Sequence, residues 1–464
     1  MTKDLYLQEL IKEETDKLND TICLIASENY PSQDILDLEG SVMSVPYTEG
    51  FPKEVSKAGR HYAGCEVIDK LENYAIQKAC ELFGTKYACM QATSGTHANQ
   101  IVYHAFCKPG DRTLSGSLSE LAHLSHGSKF TYSGRFYENH EYNLVNELID
   151  YDEIRKRLYE VKPRLLIMGY SAYSRRIDFE KVRSIVDDYN QAMYYDQGGS
   201  NNPEADPKSC ILWTDMAHFG GFIAAHLWKD KYDPTKWSDV VTTTTHKTIR
   251  GARSAIILWN NDEYCKKINQ SAFPANGGGY NQAMTAAKAQ TFIEALKPEF
   301  KDYMEQVYRN MQAIITGIKD IDIECKIRFV SGGSENHMIL LDMKGVGLTG
   351  KQAESLLESY NIVCNKNMIS GDLKPADCTG IRIGTPAITT RGFDESMCFE
   401  LGRLIARILL RGKQVEQNDV VDFEDESIRS TVKKMLEKVG PFYKVKEVEK
   451  LIQDNNPNTP DDLA

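Results

Sequence analysis

Short apolar runs bounded by turn residues alternate with amphipathic stretches up to about Lys297. The runs "RLLIMGY" (Arg164–Tyr170), "ILWTD" (Ile211–Asp215), "DVVTTTT" (Asp239–Thr245) and "SAIILW" (Ser254–Trp259) predict buried strands. Helical periodicity occupies about Leu5–Leu18, Glu66–Leu82 and Asp178–Asp188. Buried strands alternating with helices predict an α/β domain with a mostly parallel sheet. Beyond Lys297 a long helical stretch leads into strands near Lys326–Val330, His337–Asp342 and "IRIG", with helices near Gly350–Tyr360 and Asp394–Leu410. This second pattern predicts a smaller α+β unit. The expected division is an N-terminal helical arm over residues 1–30, a large α/β domain over 31–296, and a small C-terminal α+β domain with a helical tail over 297–464. Tyr194–Ser209 is polar and rich in Gly, Asn and Pro, which predicts a surface loop. The tail after Gly412 is acidic, then helical, and ends in "NNPNTPDDLA", which is expected to fray.

Composition excludes several classes. Hydrophobic residues make up 41% of the 464 positions and charged residues 26%, as in ordinary globular proteins and unlike disordered or fibrous ones. The net charge of −11 disfavours a general nucleic-acid binder, which needs clustered Lys and Arg, and leaves small molecules as the expected ligands. No run is apolar enough to span a bilayer, and "MTKDLYLQELIKEETDKLND" has no basic segment followed by an apolar one, so a cytoplasmic location is expected. The eleven cysteines are scattered and never form a C-x-x-C pair, which fits reduced thiols better than disulfides or a metal site.

Lys247, just past "DVVTTTT", is the position where chemistry enters. Burial lowers a lysine's pKa and makes its amine a usable nucleophile, whose natural product with a carbonyl compound is an imine. With pyridoxal phosphate as that carbonyl, the site also needs an acid facing the pyridine nitrogen, a phosphate cradle and a flat face against the ring. Asp215 ends "ILWTD" at a strand's C-terminal edge, where open α/β sheets bind ligands. Ser94, Gly95 and Thr96 in "ATSGTHAN" sit at a loop-to-helix junction suited to a dianionic phosphate. His123 in "LAHLSHG" offers a stacking face, and Arg382 in "GIRIGTPA" a bidentate clamp for a carboxylate. Singly, each has a structural explanation: a cap, a solvated loop cation, or a satisfied histidine such as His123, His126, His218 or His246. Together they occur in the order that one cofactor site requires.

Those residues lie in a longer resemblance. "LIASENYPS", "YTEGFP", "SGTHAN", "LSHGS", "KPRLLIMGYSAYSR", "TDMAH", "VVTTTTHKTIRG", "VSGGSENH", "GLTGKQAE" and "GIRIGTPAITTRGF" follow one another as in the serine hydroxymethyltransferases, from about Leu24 to Leu410. The chain thus resembles a family of fold-type I, aspartate aminotransferase-like transferases that use pyridoxal 5'-phosphate in one-carbon metabolism. The resemblance implies that Lys247 joins the cofactor, Asp215 partners the pyridine nitrogen, His123 stacks on the ring and His218 bonds the cofactor. It further implies cofactor contacts from Ser94, Gly95, Thr96, Ser171, Thr244 and His246, with Gly278 and Gly279 approaching from a partner subunit. Arg382 and Ser27 would bind the substrate carboxylate. Tyr47, Glu49 and Tyr62 would reach in from the other chain, with Glu49 as acid/base group at the substrate hydroxyl, and Arg253 would be structural. No metal is implied, and a homodimer or dimer of dimers with shared sites is.

Departures from the family cluster around its folate pocket. Glu120, Leu121 and Ala122 precede His123 where the family has His-Gly-Gly, so side chains replace glycines where backbone approaches ligand. "RHYAG" places His61 at an aromatic position, and extra residues within "PKEVSKAG" precede it. Two reactions remain open on this basis. One is transfer of the serine hydroxymethyl carbon to tetrahydrofolate, giving glycine; the other is a folate-independent threonine aldolase or transaldolase reaction. Retention of Tyr47, Glu49 and Tyr62 ranks the first ahead, and Lys247 argues against a non-enzymatic binding protein.

Overall fold

The computed structural model describes residues 4–372, 374–414, 420–421 and 425–443. Seven strands form one sheet: β1 (Tyr87–Cys89), β2 (Arg112–Gly116), β3 (Glu138–Tyr142), β4 (Leu165–Met168), β5 (Ile211–Asp215), β6 (Val240–Thr244) and β7 (Ala255–Trp259). Their spatial order is β1-β7-β6-β5-β4-β2-β3. Strands β2 to β6 run parallel, while β7 is antiparallel to both its neighbours. Every residue of β4, β5, β6 and β7 is buried, as expected for central strands covered on both faces. Two hydrophobic clusters flank this sheet, one containing Leu166, Leu212 and Val241 and the other Ile167, Trp213 and Val240. Alternate residues of each strand thus face opposite layers.

A second, antiparallel sheet has the order β8-β9-β11-β10, from β8 (Arg328–Phe329), β9 (Met338–Asp342), β10 (Asn365–Asn367) and β11 (Gly380–Gly384). A third cluster, with Ile339, Leu341 and Ile383, packs it against helices. The helices used below are α1 (Leu5–Asp20), α2 (Glu66–Phe83), α3 (Gly95–Phe106), α4 (Phe179–Asp196), α5 (Gln282–Ala295), α6 (Pro298–Ile321), α7 (Gly350–Glu358) and α8 (Glu395–Arg411). Helices α6 and α8 touch at Gly317 and Gly402, where an added Cβ would collide with the carbonyl oxygens of Phe399 and Ile314.

The differences from the sequence pattern have local causes. Helix α4 runs on to Asp196, so the first three residues of the polar insertion are helical, and the remainder is turn and loop around one 3-10 turn at Gly199–Asn201. The strand expected at Lys326–Val330 shrinks to Arg328–Phe329, because Asp322 accepts from the backbone N–H groups of Lys326 and Ile327 and holds them in a turn. A helix spans Glu426–Val439, while "NNPNTPDDLA" lies outside the described residues.

Candidate active site

Because β4, β5 and β6 are parallel, their C-terminal ends open onto one edge of the sheet. A cavity of about 390 Å³ lies there, lined by Thr93, Ser94, Gly95, Thr96, His123, His126, Tyr170, Ser171, Asp215, Ala217, His218, Thr244, His246, Lys247 and Arg253. Sequence reasoning placed Ser94, Gly95, Thr96, His123, Ser171, Asp215, His218, Thr244, His246 and Lys247 at one cofactor site, and all of them share this wall. Gly169 permits the crossing of chains beneath it: its φ is +128°, and an added Cβ would strike the carbonyl oxygen of Asp215.

Asp215 is the most constrained acid. Its Oδ2 accepts from Asn99 Nδ2 at 2.8 Å and lies 3.0 Å from His126 Nε2, while Oδ1 accepts from the backbone N–H of Ala217 at 3.0 Å. Burial alone would raise its pKa, yet the hydrogen bond and charge of His126, with His123 and Asn99, bring it well below the usual carboxylate range. The carboxylate therefore stays ionised. Asn99 is fixed in turn by Thr242 Oγ1, which donates to its Oδ1 at 2.9 Å, and Thr242 accepts from Trp213 Nε1 at 3.0 Å. The threonine run of β6 thus supplies hydroxyls that hold the acid's partners inside a dry sheet.

Lys247 follows β6 in a turn stabilised by Asn29, whose Nδ2 donates to the Lys247 carbonyl at 2.9 Å. Desolvation lowers its pKa from 10.5 to about 8; Asp215 opposes the shift, while Arg382 and Arg253 add to it. Three histidines around it, His123, His218 and His246, are held neutral. Burial pushes His123 down to about 4 and His246 to about 3, and His218 lies well below its ordinary value; the Lys247 charge reinforces burial at all three, joined by Arg382 at His123 and His218 and by Arg253 at His246. His123 Nδ1 accepts from the backbone N–H of Ser125 at 3.2 Å, which sets the ring's orientation.

The phosphate-type loop has the form expected of an anion cradle. Ser94 caps α3 by accepting from the His97 N–H at 3.1 Å, and Gly95 and Thr96 begin the helix, whose first N–H groups have no intrahelical partner. A Cβ on Gly95 would lie 2.9 Å from Thr244 Cγ2, so glycine keeps the loop against β6. Several buried polar atoms on the wall have no protein partner: Tyr170 Oη, His126 Nδ1, His218 Nδ1 and His246 Nδ1. A polar ligand in the cavity would satisfy groups of this kind.

Other expected residues lie elsewhere. Arg382, on β11, donates to Ser171 O at 2.6 Å and Asn365 Oδ1 at 3.1 Å, which brings the second sheet to the cavity mouth. Burial lowers its pKa to about 10, so it remains a cation. Ser27 is not on the cavity wall; it lies between Ala26, which packs on Gly384, and Asn29, which holds Lys247. Tyr47, Glu49, Tyr62, Gly278 and Gly279 form a separate group. The Tyr47 and Tyr62 rings are 5.0 Å apart, and Cβ atoms added at Gly279 and Gly278 would meet Tyr47 Cζ at 2.8 Å and Glu49 Oε1 at 3.6 Å. None of these five lines the cavity of the same chain.

His126 and Asn99 were not singled out as site residues, although both occur in motifs read for other members. The weak signal was spacing: His126 follows His123 by three positions in a single 3-10 turn, and Asn99 lies one helical turn beyond Gly95. The substitutions before His123 also leave the cavity untouched. Leu121 takes a left-handed conformation (φ +76°) and, with Ala122, packs into the hydrophobic core, while its carbonyl accepts from Ser171 N at 2.9 Å. The Glu120 carboxylate accepts from the Leu144 N–H. Leu121 and Ala122 therefore turn into the core, and none of Glu120, Leu121 and Ala122 lines this cavity.

Comparison with known proteins agrees with this architecture. The family model described as serine hydroxymethyltransferase matches residues 1–198 and 203–405. A serine hydroxymethyltransferase of Lactobacillus gasseri is 42% identical over 433 residues, covering 92% of this chain and 97% of its own length. Relatives of the same name from Lactobacillus johnsonii (43% over 412 residues, 88% and 92%) and Onion yellows phytoplasma (43% over 399 residues, 85% and 89%) are similar. The chain belongs to the serine hydroxymethyltransferase family, whose members are pyridoxal-phosphate-dependent transferases of fold type I.

Proposed function

We propose that this chain interconverts serine and glycine with transfer of the hydroxymethyl carbon to tetrahydrofolate, using pyridoxal 5'-phosphate. The observation that carries the reading is the pairing, in one cavity, of a desolvated Lys247 amine with an Asp215 carboxylate held ionised by three donors. The relatives' names favour this reaction over the folate-independent aldolase alternative.

When bound, pyridoxal phosphate supplies an aldehyde for an amine and a ring that draws electrons from the bond being broken. Lys247 provides the amine, a growing fraction of it neutral as the pH approaches 8. Asp215 holds the proton on the ring nitrogen. Ser94, Gly95 and Thr96, at the positive end of α3, hold the phosphate. His123, kept neutral by burial, offers a flat face without adding a second charge. Arg382 fixes the substrate carboxylate, and that fixing decides which bond at the α-carbon stands in line for cleavage.

Cleavage of serine also requires a base at its hydroxyl, and among the described residues no carboxylate besides Asp215 lines the cavity. Glu49 fills that role if a second copy presents it. The exposed apolar surface around it supports this: Val42, Val45, Tyr47, Tyr62, Val67 and Tyr74 are all solvent-exposed in the single chain. The reading is therefore a homodimer whose cavities are each completed by Tyr47, Glu49, Tyr62, Gly278 and Gly279 of the other copy, with Ser27 beside Arg382 at the substrate. No described helix is long and apolar enough to cross a membrane; cytoplasmic location remains part of this reading.

The test is the folate dependence of serine cleavage. Glycine formation that requires tetrahydrofolate is expected; turnover of threonine with an aldehyde acceptor, indifferent to folate, would overturn the assignment.

A further inference from the structure

A second lysine is buried more completely than Lys247 and has no part in that chemistry. Lys288, in the middle of α5, has no solvent exposure. Its Nζ donates to Met90 O, to Ala255 O at 3.3 Å and to Ala92 O at 3.5 Å, and it lies 2.7 Å from Tyr280 Oη. Tyr280 Oη itself donates to Ala92 O at 3.3 Å and lies 3.3 Å from Ser254 Oγ, which donates to Ala92 O at 2.9 Å. Apart from the bond to Ala255, on β7, this network converges on Met90–Ala92, the residues that lead directly into the cavity wall at Thr93–Thr96.

The same network continues to the group around Glu49. The backbone carbonyl of Tyr280 accepts from Thr48 Oγ1 at 3.3 Å, and Thr48 Oγ1 accepts from Gln282 Nε2 at 2.9 Å. On its other side Gln91 donates to Gly50 O at 2.9 Å and to Glu72 Oε1 at 3.0 Å. Glu72 binds Arg60 at 2.6 Å, and Arg60 donates to Gly50 O at 2.7 Å and Thr48 O at 3.3 Å. Both peptide neighbours of Glu49 are thus clamped by groups that also hold Met90–Ala92.

We propose that Lys288 is a positioning residue: with Tyr280 it ties the chain's own anion loop, Thr93–Thr96, to the segment Thr48–Gly50 that carries Glu49, so that the two are set in register. The inference rests on the proposed cofactor site. Burying an ammonium among carbonyls, with no carboxylate in ion-pair contact among the described residues, is costly, and a hydrophobic residue would fill the space at less expense. The groups facing it are Tyr280 before α5, Cys89 on β1 and Glu72 on α2, the last already paired with Arg60; burial lowers its pKa to about 7. What the ammonium supplies is several directed hydrogen bonds from one point to three segments of chain.

The experiment compares binding of pyridoxal 5'-phosphate and of pyridoxal, which lacks the phosphate, to coenzyme-free Lys288→Met, Tyr280→Phe and the double variant. Expected is a loss of roughly ten-fold or more in pyridoxal-phosphate affinity for Lys288→Met, the order set by a buried charged hydrogen bond, with pyridoxal affinity unchanged. The double variant should lose no more than Lys288→Met, because the two groups act through one linkage. Equal losses for both ligands, or losses that add in the double variant, overturn the proposal in favour of a purely structural lysine. If Lys288→Met does not fold, Tyr280→Phe alone decides by the same selectivity for phosphate. Failure of the parent chain to bind pyridoxal phosphate would sink the functional assignment instead.

Discussion

Lys247 and Lys288 are both desolvated lysines, and burial lowers one to about 8 and the other to about 7. Titration alone does not tell the two amines apart. Their surroundings do. Lys288 spends its donors on Met90, Ala92, Ala255 and Tyr280 inside packed protein, whereas Lys247 makes no side-chain hydrogen bond or ion pair among the described residues and opens onto a 390 Å³ cavity beside Asp215. A depressed pKa makes an amine reactive only where a ligand can reach it. The former region holds chain segments in place; the latter keeps its amine free.

Deleting the reactive amine has the largest expected effect. Lys247→Ala is expected to remove visible absorbance from protein reconstituted with pyridoxal phosphate and to lower turnover by about 10³-fold or more, the scale for loss of a covalent catalyst; a coloured, active variant would end the assignment. Asp215→Asn should keep the fold but lower turnover by about 10²-fold to 10³-fold, as for removal of a preorganised charge, measured with saturating cofactor. In the Lys288 region the effect should fall on stability. Arg60→Met leaves Glu72 buried without its cation and is expected to cost about 3–5 kcal/mol in denaturant unfolding, since both side chains are almost fully buried. A milder effect comes from mixing Lys247→Ala with Glu49→Gln chains. Random exchange should restore about a quarter of parental activity if sites are shared between two copies, and none if each chain works alone.

The smallest and most specific effect is in pH. Lys247 is lowered from 10.5 to about 8, so the folded chain carries fewer protons than the unfolded one between those values. The neutral, reactive fraction rises with pH through about 8 and is complete above it. Capture of pyridoxal phosphate by coenzyme-free protein should therefore accelerate up to about pH 8 and then level off. Acceleration continuing towards 10.5 would mean that the reacting lysine is solvated.

Much of this was legible in the chain because the central strands are buried on both faces. β4, β5, β6 and β7 read as apolar runs, and the cavity residues follow directly from where those runs end. The strands that escaped notice have other chemistry. β2 ("RTLSG") and the edge strand β3 ("ENHEY") are polar, and their hydroxyl and amide groups are satisfied across the pair, with Thr113 and Ser115 both donating to Asn139 Oδ1. No periodicity announces such pairing. His126 and Asn99 were equally hidden, because their importance comes from a carboxylate more than eighty positions away. Leu121 stands at a glycine position of the family; it keeps the left-handed backbone that glycine favours, and its side chain is buried in the core.

Everything turns on which amine meets the cofactor. Borohydride reduction of the protein loaded with pyridoxal phosphate, followed by proteolysis and mass mapping, fixes the cofactor to the lysine that held it. A single pyridoxyl group on the peptide containing Lys247 is expected. A label on Lys288, or none on either lysine, would contradict it.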